Sequence, residues 1–273
     1  MKRLLIFALV IILIFSVSGC GGNSQPADSF SSDTDQSESE QTESSEKTGD
    51  GNGIISVQYK AYTDARAVFE DYVLDQSYDH EIVSVKFTIA TASDLKNFTY
   101  LLPLMFMGES TKSVGKFDGN MEKTMLEGGW ADSVELEYNE DTGYLITGTL
   151  DGSNLEIKTV YDEPTDSLRL EAYKDGALDL VFEYIKTRGG YAAQYYYKTI
   201  TGFDKNTPIE GLCTFRTIFE GTDGSWARFD NVTSEPTSIY THAPEGKAFI
   251  EGATHWFTIE DGSFTGSLDG EVF

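Results

Sequence analysis

The chain has 273 residues, of which 40% are hydrophobic, a proportion that is ordinary for a protein with a packed core. Its charge is unusual, because 45 acidic residues against 20 basic residues give a formal net charge of −25 at pH 7. Nucleic acids and anionic lipid headgroups are bound through Lys and Arg, so both repel a chain this acidic. The composition argues against a nucleic-acid partner and against membrane binding through a basic surface patch.

The first twenty residues have the pattern of an export signal. Lys2 and Arg3 are followed by fourteen residues, 4–17, in which only Ser16 is polar, and then by small residues. A basic start, an apolar stretch and small residues before a cleavage site are typical of secretory signals. This stretch is too short to span a bilayer comfortably. The pattern predicts that the chain is exported.

The sequence Val17-Ser18-Gly19-Cys20, which ends this stretch, resembles the lipobox of bacterial lipoproteins. The resemblance implies that residues 1–19 are a signal peptide and that the sulfur of Cys20, the first residue of the mature chain, receives a diacylglyceryl group. It also implies that this lipid anchors the protein on the extracytoplasmic face of the cell membrane. The glycine after Cys20 and the Ser- and acid-rich residues beyond it are similar to Gram-positive lipoproteins, which favours a Gram-positive cell surface.

Residues 21–53 predict a disordered tether. They are mostly Gly, Ser, Thr, Gln, Asp and Glu, and they carry eight acidic residues against the single base Lys47. Such a segment has too little apolar surface to offset the entropy lost on ordering, and its like charges extend it. We therefore expect residues 20–53 to link the membrane to a folded part over residues 54–273.

The start of the folded part mixes strand and helix patterns. We predict a strand over 54–60, a helix over 64–75 that Asp64 caps, a strand over 81–90, and a second short helix that Ser93 caps and that Pro103 ends or kinks.

The run 101–107 is the most apolar stretch after the signal. It fits two interpretations. It is either part of the core or the edge of a site for an apolar ligand, because unbranched methionine suits adaptable apolar surfaces. On the second interpretation the candidate ligand contacts are Leu101, Leu102, Met105 and Met107.

Residues 134–199 form six segments of strand length in which hydrophobic and polar residues alternate. In the fourth segment, Leu168 and Leu170 alternate with Arg169 and Glu171, which predicts one face in the core and one in solvent. The connections are too short for parallel crossovers, so the pattern predicts an antiparallel meander. Glycine-containing turns are predicted to supply the positive φ angles of tight hairpins at 151–153, 175–176 and 188–190.

The last two of these segments differ from the others. Residues 178–187 are apolar on both faces for much of their length, which predicts that both faces are covered. In the sixth segment, alternation puts three tyrosines on one side and a fourth on the other beside Gln194. These residues are Tyr191, Tyr195 and Tyr197, and Tyr196. The tyrosine row fits either core packing or a sugar-binding platform.

Two further hairpins are predicted in the C-terminal third. The first joins 212–220 to 226–229 through Asp223-Gly224, and the second joins 255–260 to 264–268 through Asp261-Gly262. In the first hairpin, alternation puts Cys213 on the same face as two phenylalanines. This placement favours a small buried hydrophobic residue over a reactive thiol.

The sequence contains no recognisable motif for catalysis or for a cofactor. It lacks a Gly-x-Ser-x-Gly nucleophile elbow, a His-Glu-x-x-His zinc motif and a phosphate-binding glycine loop. His80, His242 and His255 are far apart and have dissimilar neighbours, which does not match the spacing of a metal site. We therefore predict a non-catalytic protein with no metal and no cofactor.

Together these patterns predict a mainly β fold, an antiparallel meander of half-barrel or sandwich-like form, with one or two short helices near its start. Helices that cover the inner face would make it similar in outline to the half-barrel-plus-helix lipoproteins that carry lipids or other lipoproteins. That resemblance implies a carrier of a lipid or other apolar ligand. The alternatives are an interaction or scaffold domain in an envelope or cell-wall complex, and a carbohydrate-binding domain.

Overall fold

The computed structural model describes residues 54–76 and 80–273, and of residues 88–96 and 110 the backbone alone. The predicted signal peptide, the lipobox with Cys20 and the predicted tether lie outside the described residues. Within the described chain, no helix is both long enough and apolar enough to cross a membrane.

Helices occupy the first part of the described chain. They are α1 (Ile55–Gln76), α2 (Glu81–Leu101), a 3-10 helix (Leu102–Phe106), α3 (Glu109–Val114) and α4 (Gly119–Glu127). These helices are more numerous than the one or two predicted. The first two, with 22 and 21 residues, are also longer than the short helices predicted. The prediction that helical structure changes at Pro103 is confirmed, because α2 gives way there to the 3-10 helix.

The strands predicted over 54–60 and 81–90 are wrong, and both segments are helical. In the first, Ile55, Val57 and Tyr59 alternate as in a strand, but Val57 is 51% exposed while the other two are buried. Val83 and Phe87 are likewise buried around a half-exposed valine. Buried residues four positions apart define one face of a helix, so tertiary packing overrides the strand preference of these side chains.

The second predicted helix is also misplaced at its start. Ser93 lies in the interior of α2, whose N-cap is His80. The helix predicted over 64–75 is confirmed as the second half of α1. Asp64 is therefore also an interior residue, and it accepts a hydrogen bond from Lys60 one turn earlier at 2.5 Å.

Eleven strands form one open antiparallel sheet in which each strand pairs with its neighbours in sequence. They are β1 (Ser133–Asn139), β2 (Gly143–Leu150), β3 (Ser153–Asp162), β4 (Ser167–Lys174), β5 (Ala177–Lys186), β6 (Tyr191–Asp204), β7 (Thr207–Glu220), β8 (Asp223–Phe229), β9 (His255–Glu260), β10 (Ser263–Leu268) and β11 (Glu271–Val272). The short helix α5 (Gly246–Ile250) lies between β8 and β9. The predicted mainly β fold and its meander are confirmed, in a single sheet rather than a two-sheet sandwich.

One face of the sheet packs against α1 and forms an aromatic core. Phe182 lies opposite both Leu170 and Tyr195 in the strand register. From α1, Tyr62 stacks on Tyr184 with ring centroids 4.9 Å apart, and Phe69 stacks on Phe219 at 5.5 Å. Such pairs each add about 0.5–1.5 kcal/mol beyond the apolar area they bury. The tyrosine row of β6 is part of this core, because Tyr191, Tyr195 and Tyr197 are all buried.

The opposite face is covered around β5 to β8 by residues 230–254, here called the covering segment. Ile239 and Phe249 of this segment pack on Ile185 and Ala192 of the sheet. The prediction that both faces of 178–187 are covered is therefore confirmed. Without this cover, apolar residues of β5 would face water.

The hairpin turns agree with the predictions at some positions and not at others. Asp175 and Gly176 have φ angles of 51° and 80°, as the predicted tight turn requires. Both residues of the turns at 151–152 and 261–262 also have positive φ angles. The φ angle of Gly190 is not positive. A side chain there would instead lie 1.9 Å from the carbonyl oxygen of Phe219, so close strand contact requires this glycine. The turn between β7 and β8 lies two residues earlier than predicted, at 221–222.

Candidate binding site

A row of polar side chains crosses the covered face of the sheet. Arg169 of β4 lies opposite Glu183 of β5, Glu183 lies opposite Gln194 of β6, and Gln194 lies opposite Arg216 of β7. Residues directly opposite in antiparallel strands are close enough to contact each other, so these four side chains form one continuous group. We call it the polar row.

Glu183 is the centre of the polar row and is completely buried. Its carboxylate accepts hydrogen bonds from Arg169 Nη1 at 2.5 Å and from Gln194 Nε2 at 2.7 Å. It also accepts from Ser238 Oγ at 2.5 Å and from the Ile239 amide at 2.9 Å, both in the covering segment. A buried carboxylate is stable only when it is paired and hydrogen-bonded. Glu183 therefore attaches the covering segment to the sheet.

Arg169 forms the outer end of the polar row and binds three carboxylates. Its guanidinium donates to Glu183, to Glu171 at 2.7 Å and to Glu235 of the covering segment at 2.7 Å. Burial alone would lower the pKa of Arg169, but these hydrogen bonds outweigh burial and raise it. The prediction that Arg169 faces solvent is wrong, because its side chain is only 19% exposed under the covering segment.

A surface cavity of about 590 Å³ lies at the other end of the polar row. Thr214 and Arg216 line it from β7, residues 229–237 form most of its wall, and Gly252 and Thr254 complete it. The wall includes several neutral hydrogen-bonding groups, namely threonine and serine hydroxyls and the Asn231 amide, together with the carboxylates of Asp230 and Glu235. We call this space the Arg216 cavity.

Arg216 is held in this cavity by two hydrogen bonds and two rings. Its Nε donates to Gln194 Oε1 at 3.3 Å, and its Nη1 donates to the carbonyl oxygen of Phe249 at 2.9 Å. The guanidinium carbon lies 5.0 Å from the ring centroid of Phe229 and 4.8 Å from that of Phe249. Burial lowers the pKa of Arg216, but an arginine remains charged at neutral pH.

A second cavity, of about 560 Å³, is lined by residues of α5 and in part by Trp256 and Thr258. Its lysine, Lys247, already pairs with Glu260 at 3.4 Å, and both side chains are largely exposed. The second cavity therefore lacks a partly buried cation that is free to take a ligand.

Cys213 and His255 meet at one carboxylate beside the Arg216 cavity. Cys213 Sγ donates to Asp230 Oδ1 at 3.2 Å, His255 Nε2 lies 3.1 Å from Asp230 Oδ2, and Arg228 Nε donates to Asp230 Oδ1 at 2.6 Å. Burial, together with the bond to Asp230, raises the pKa of the Cys213 thiol to about 11. The thiol is therefore not activated as a nucleophile. Its burial agrees with the predicted packing role, although the hydrogen bond to Asp230 was not foreseen.

The four residues predicted to contact an apolar ligand lie at the end of α2 and in or next to the 3-10 helix. Leu101 and Met107 are buried, Leu102 is half-buried and Met105 is 39% exposed. The carbonyl oxygen of Met107 accepts a hydrogen bond from the Ser56 amide of α1 at 3.1 Å. These residues do not line either cavity described above. An apolar ligand at this position stays a prediction.

Within the described residues, no group of three or more His, Cys, Asp or Glu side chains is placed to hold a metal ion. His80 lies beside Phe264 and Phe273, with ring centroids 5.8 Å and 5.6 Å away. His242 is exposed, and its Nδ1 lies 3.0 Å from Thr241 Oγ1. The structure thus keeps both residues away from the carboxylate that His255 contacts.

The prediction from sequence did not identify the polar row, although a signal for it exists. Residues 178–187 are apolar on both faces except at a few positions, and Glu183 lies on the face that Val181 and Ile185 share. A charged residue on a covered face must be paired, so it indicates a partner on a neighbouring strand. Gln194, on the outer face of β6, is the matching polar residue.

Comparison with protein-family models, with curated proteins and with solved structures found no match to the chain. A function is therefore inferred from the residues of the site.

Proposed function

We propose that the chain is a membrane-anchored bacterial lipoprotein whose β domain is a non-catalytic binding domain for a carbohydrate or similar hydroxylated ligand. The observation that carries this proposal is the Arg216 cavity, an open space of about 590 Å³ whose wall includes six neutral hydrogen-bonding side chains, the Arg216 guanidinium and two carboxylates. Small-molecule sites are concave and present a few well-placed polar groups. The covering segment supplies most of those groups, and Glu183 holds that segment in position.

A hydroxylated ligand fits this wall better than an apolar one. Thr214, Thr233 and Ser234 offer hydroxyls that can both donate and accept hydrogen bonds, and Asn231 offers an amide. The ring of Phe229 provides one apolar surface in the same wall. On the other face of the sheet, stacked aromatic rings pack α1 closely against the strands. This packing indicates a structural core there and not a ligand site.

The non-catalytic part of the proposal rests on the titratable groups at the cavity. Asp230 is engaged by Cys213, His255 and Arg228. Glu235 is paired with Arg169 at 2.7 Å. A general acid or base needs a group that can exchange a proton with the substrate, and these carboxylates are already held by protein donors.

The membrane anchor is proposed from the lipobox resemblance alone. We expect the chain to incorporate labelled palmitate in a bacterial host and to fractionate with membranes, because two acyl chains suffice for stable anchoring. Replacing Cys20 with serine should abolish the label, and Cys213→Ser is the matched control that should not change it. A label that persists in the Cys20→Ser variant contradicts the anchor.

The binding function is tested by the melting temperature of the mature Cys20→Ser chain in a panel of ligands. The panel contains neutral and acidic sugars on one side, and fatty acids and phospholipids on the other. A ligand at about 100 times its Kd stabilises the native state by about 2.7 kcal/mol, which raises the melting temperature by about 5 °C or more in a chain of this size. We expect sugars to produce this shift. A shift with lipids and none with sugars would support the apolar-ligand prediction at Leu101 and Met105 instead.

A further inference from the structure

Arg216 differs from the other partly buried arginines of the described chain in its partners. Arg66 pairs with Glu70 at 2.6 Å, Arg228 with Asp230 at 2.6 Å, and Arg169 with three carboxylates. Arg216 has no carboxylate within ion-pair distance among the described residues. In a chain with 45 acidic and 20 basic residues, a partly buried arginine without a carboxylate partner is unexpected, because acidic residues outnumber basic ones.

The unused donors of Arg216 belong to its guanidinium end. Nε and Nη1 each make a hydrogen bond inside the protein, whereas Nη2 has no partner among the described residues. Arg216 is one of the residues that line the open cavity, so its side chain lies beside the space that a ligand would occupy. An arginine whose position is fixed by Gln194 and by the carbonyl of Phe249 is already oriented, which lowers the entropy lost when it binds an anion.

The charges in the cavity wall favour an anion with a single negative charge. Arg216 has no carboxylate partner among the described residues, whereas in the wall Asp230 pairs with Arg228 and Glu235 shares the single charge of Arg169 with two other carboxylates. A phosphate monoester carries a charge of about −1.5 to −2 at pH 7 and would leave excess negative charge beside two carboxylates. A single carboxylate balances Arg216, and its two oxygens match the planar geometry of the guanidinium.

We propose that the ligand of the Arg216 cavity is an acidic sugar of the uronic-acid class, whose carboxylate pairs with Arg216 and whose hydroxyls bond to the threonine, serine and asparagine groups of the wall. This inference rests on the proposed binding function and specifies the ligand class. It makes Arg216 the residue that distinguishes an acidic sugar from the neutral sugar of the same ring.

The test is isothermal titration of the mature Cys20→Ser chain with glucuronate, galacturonate, glucose, galactose and glucose 6-phosphate. We expect at least one uronate to bind about 10- to 100-fold more tightly than its neutral partner, as expected when a charge-assisted hydrogen bond is lost. The Arg216→Met variant should lose this preference and bind both sugars with similar affinity. Arg216→Lys should retain part of it, because lysine keeps the charge without the planar fork.

The control is Arg188→Met, which removes the same charge from an exposed residue outside the cavity wall and should leave the preference unchanged. The wild-type comparison of uronate with neutral sugar does not depend on any variant folding correctly. Equal binding of neutral and acidic sugars, or tighter binding of glucose 6-phosphate, would overturn the uronate assignment and leave the proposed function intact. Absence of binding by all five compounds would overturn the uronate assignment. If, in addition, only fatty acids or phospholipids raise the melting temperature in the ligand panel, the proposed carbohydrate-binding function is also contradicted.

Discussion

Replacing Glu183 with alanine is expected to lower the free energy of unfolding by about 3–5 kcal/mol, one of the largest effects of any single substitution in the chain. The carboxylate is completely buried, and its removal leaves Arg169, Gln194, Ser238 and the Ile239 amide without their common acceptor. Unsatisfied buried donors carry the full cost of their lost hydration. Chemical denaturation followed by circular dichroism measures this change.

The matched control is Glu235→Ala. Glu235 accepts from the same arginine at 2.7 Å, but its side chain is 36% exposed. Solvent screens that pair, so its loss should cost no more than about 1 kcal/mol. If Glu183→Ala were no more destabilising than Glu235→Ala, then Glu183 would not be the residue that attaches the covering segment to the sheet.

Replacing Ile157 with aspartate is expected to be equally damaging for a different reason. Ile157 of β3 is completely buried on the helix-facing side of the sheet, opposite Ile146 and Ala172. An unpaired carboxylate there would cost several kcal/mol, which is comparable with the total stability of a typical domain of about 5–15 kcal/mol. We expect loss of the folded state in thermal melts.

Glu156→Ala, one residue earlier on the opposite face, is the control for this prediction. Its carboxylate forms only a partly exposed pair with Lys158 at 2.9 Å, so the substitution should change stability by less than about 1 kcal/mol. A strand shifted by one residue would reverse the two results, because every side chain would change face.

The sheet was predictable from sequence because its signal is local. In β4, Leu168 and Leu170 are completely buried, as their alternation with polar residues predicted, and Asp-Gly turns mark the ends of several hairpins. The helices before the sheet were less predictable. Ile55, Val57 and Tyr59 alternate over a length at which a helix face and a strand face cannot be distinguished by periodicity. Packing of the buried side chains against the sheet determines that this segment is helical.

The binding site was not predictable for a further reason. Its polar row joins Arg169, Glu183, Gln194 and Arg216 from four strands, and its cavity wall comes from a segment without a continuous strand or helix. The position of that segment depends on bonds between residues more than fifty positions apart, such as Ser238 to Glu183. Sequence periodicity carries no information about such bonds. It could show only that a charged residue lies on a covered face.

The polar row links the stability of the fold to the geometry of the proposed site. Glu183 orients Gln194 at 2.7 Å, and Gln194 accepts from Arg216 in the cavity at 3.3 Å. The same carboxylate positions Ser238 and Ile239 of the covering segment. One buried group therefore holds both the segment that carries most of the wall and, through Gln194, the cation proposed to bind the ligand.

The most direct test of this account is the crystal structure of the mature Cys20→Ser chain soaked in turn with glucuronate and with galacturonate. The account predicts a sugar in the Arg216 cavity, with its carboxylate within hydrogen-bond distance of Arg216 and its hydroxyls on the groups of residues 229–237. A sugar bound elsewhere, or an empty Arg216 cavity with density for a lipid near Leu101 and Met105, would contradict it.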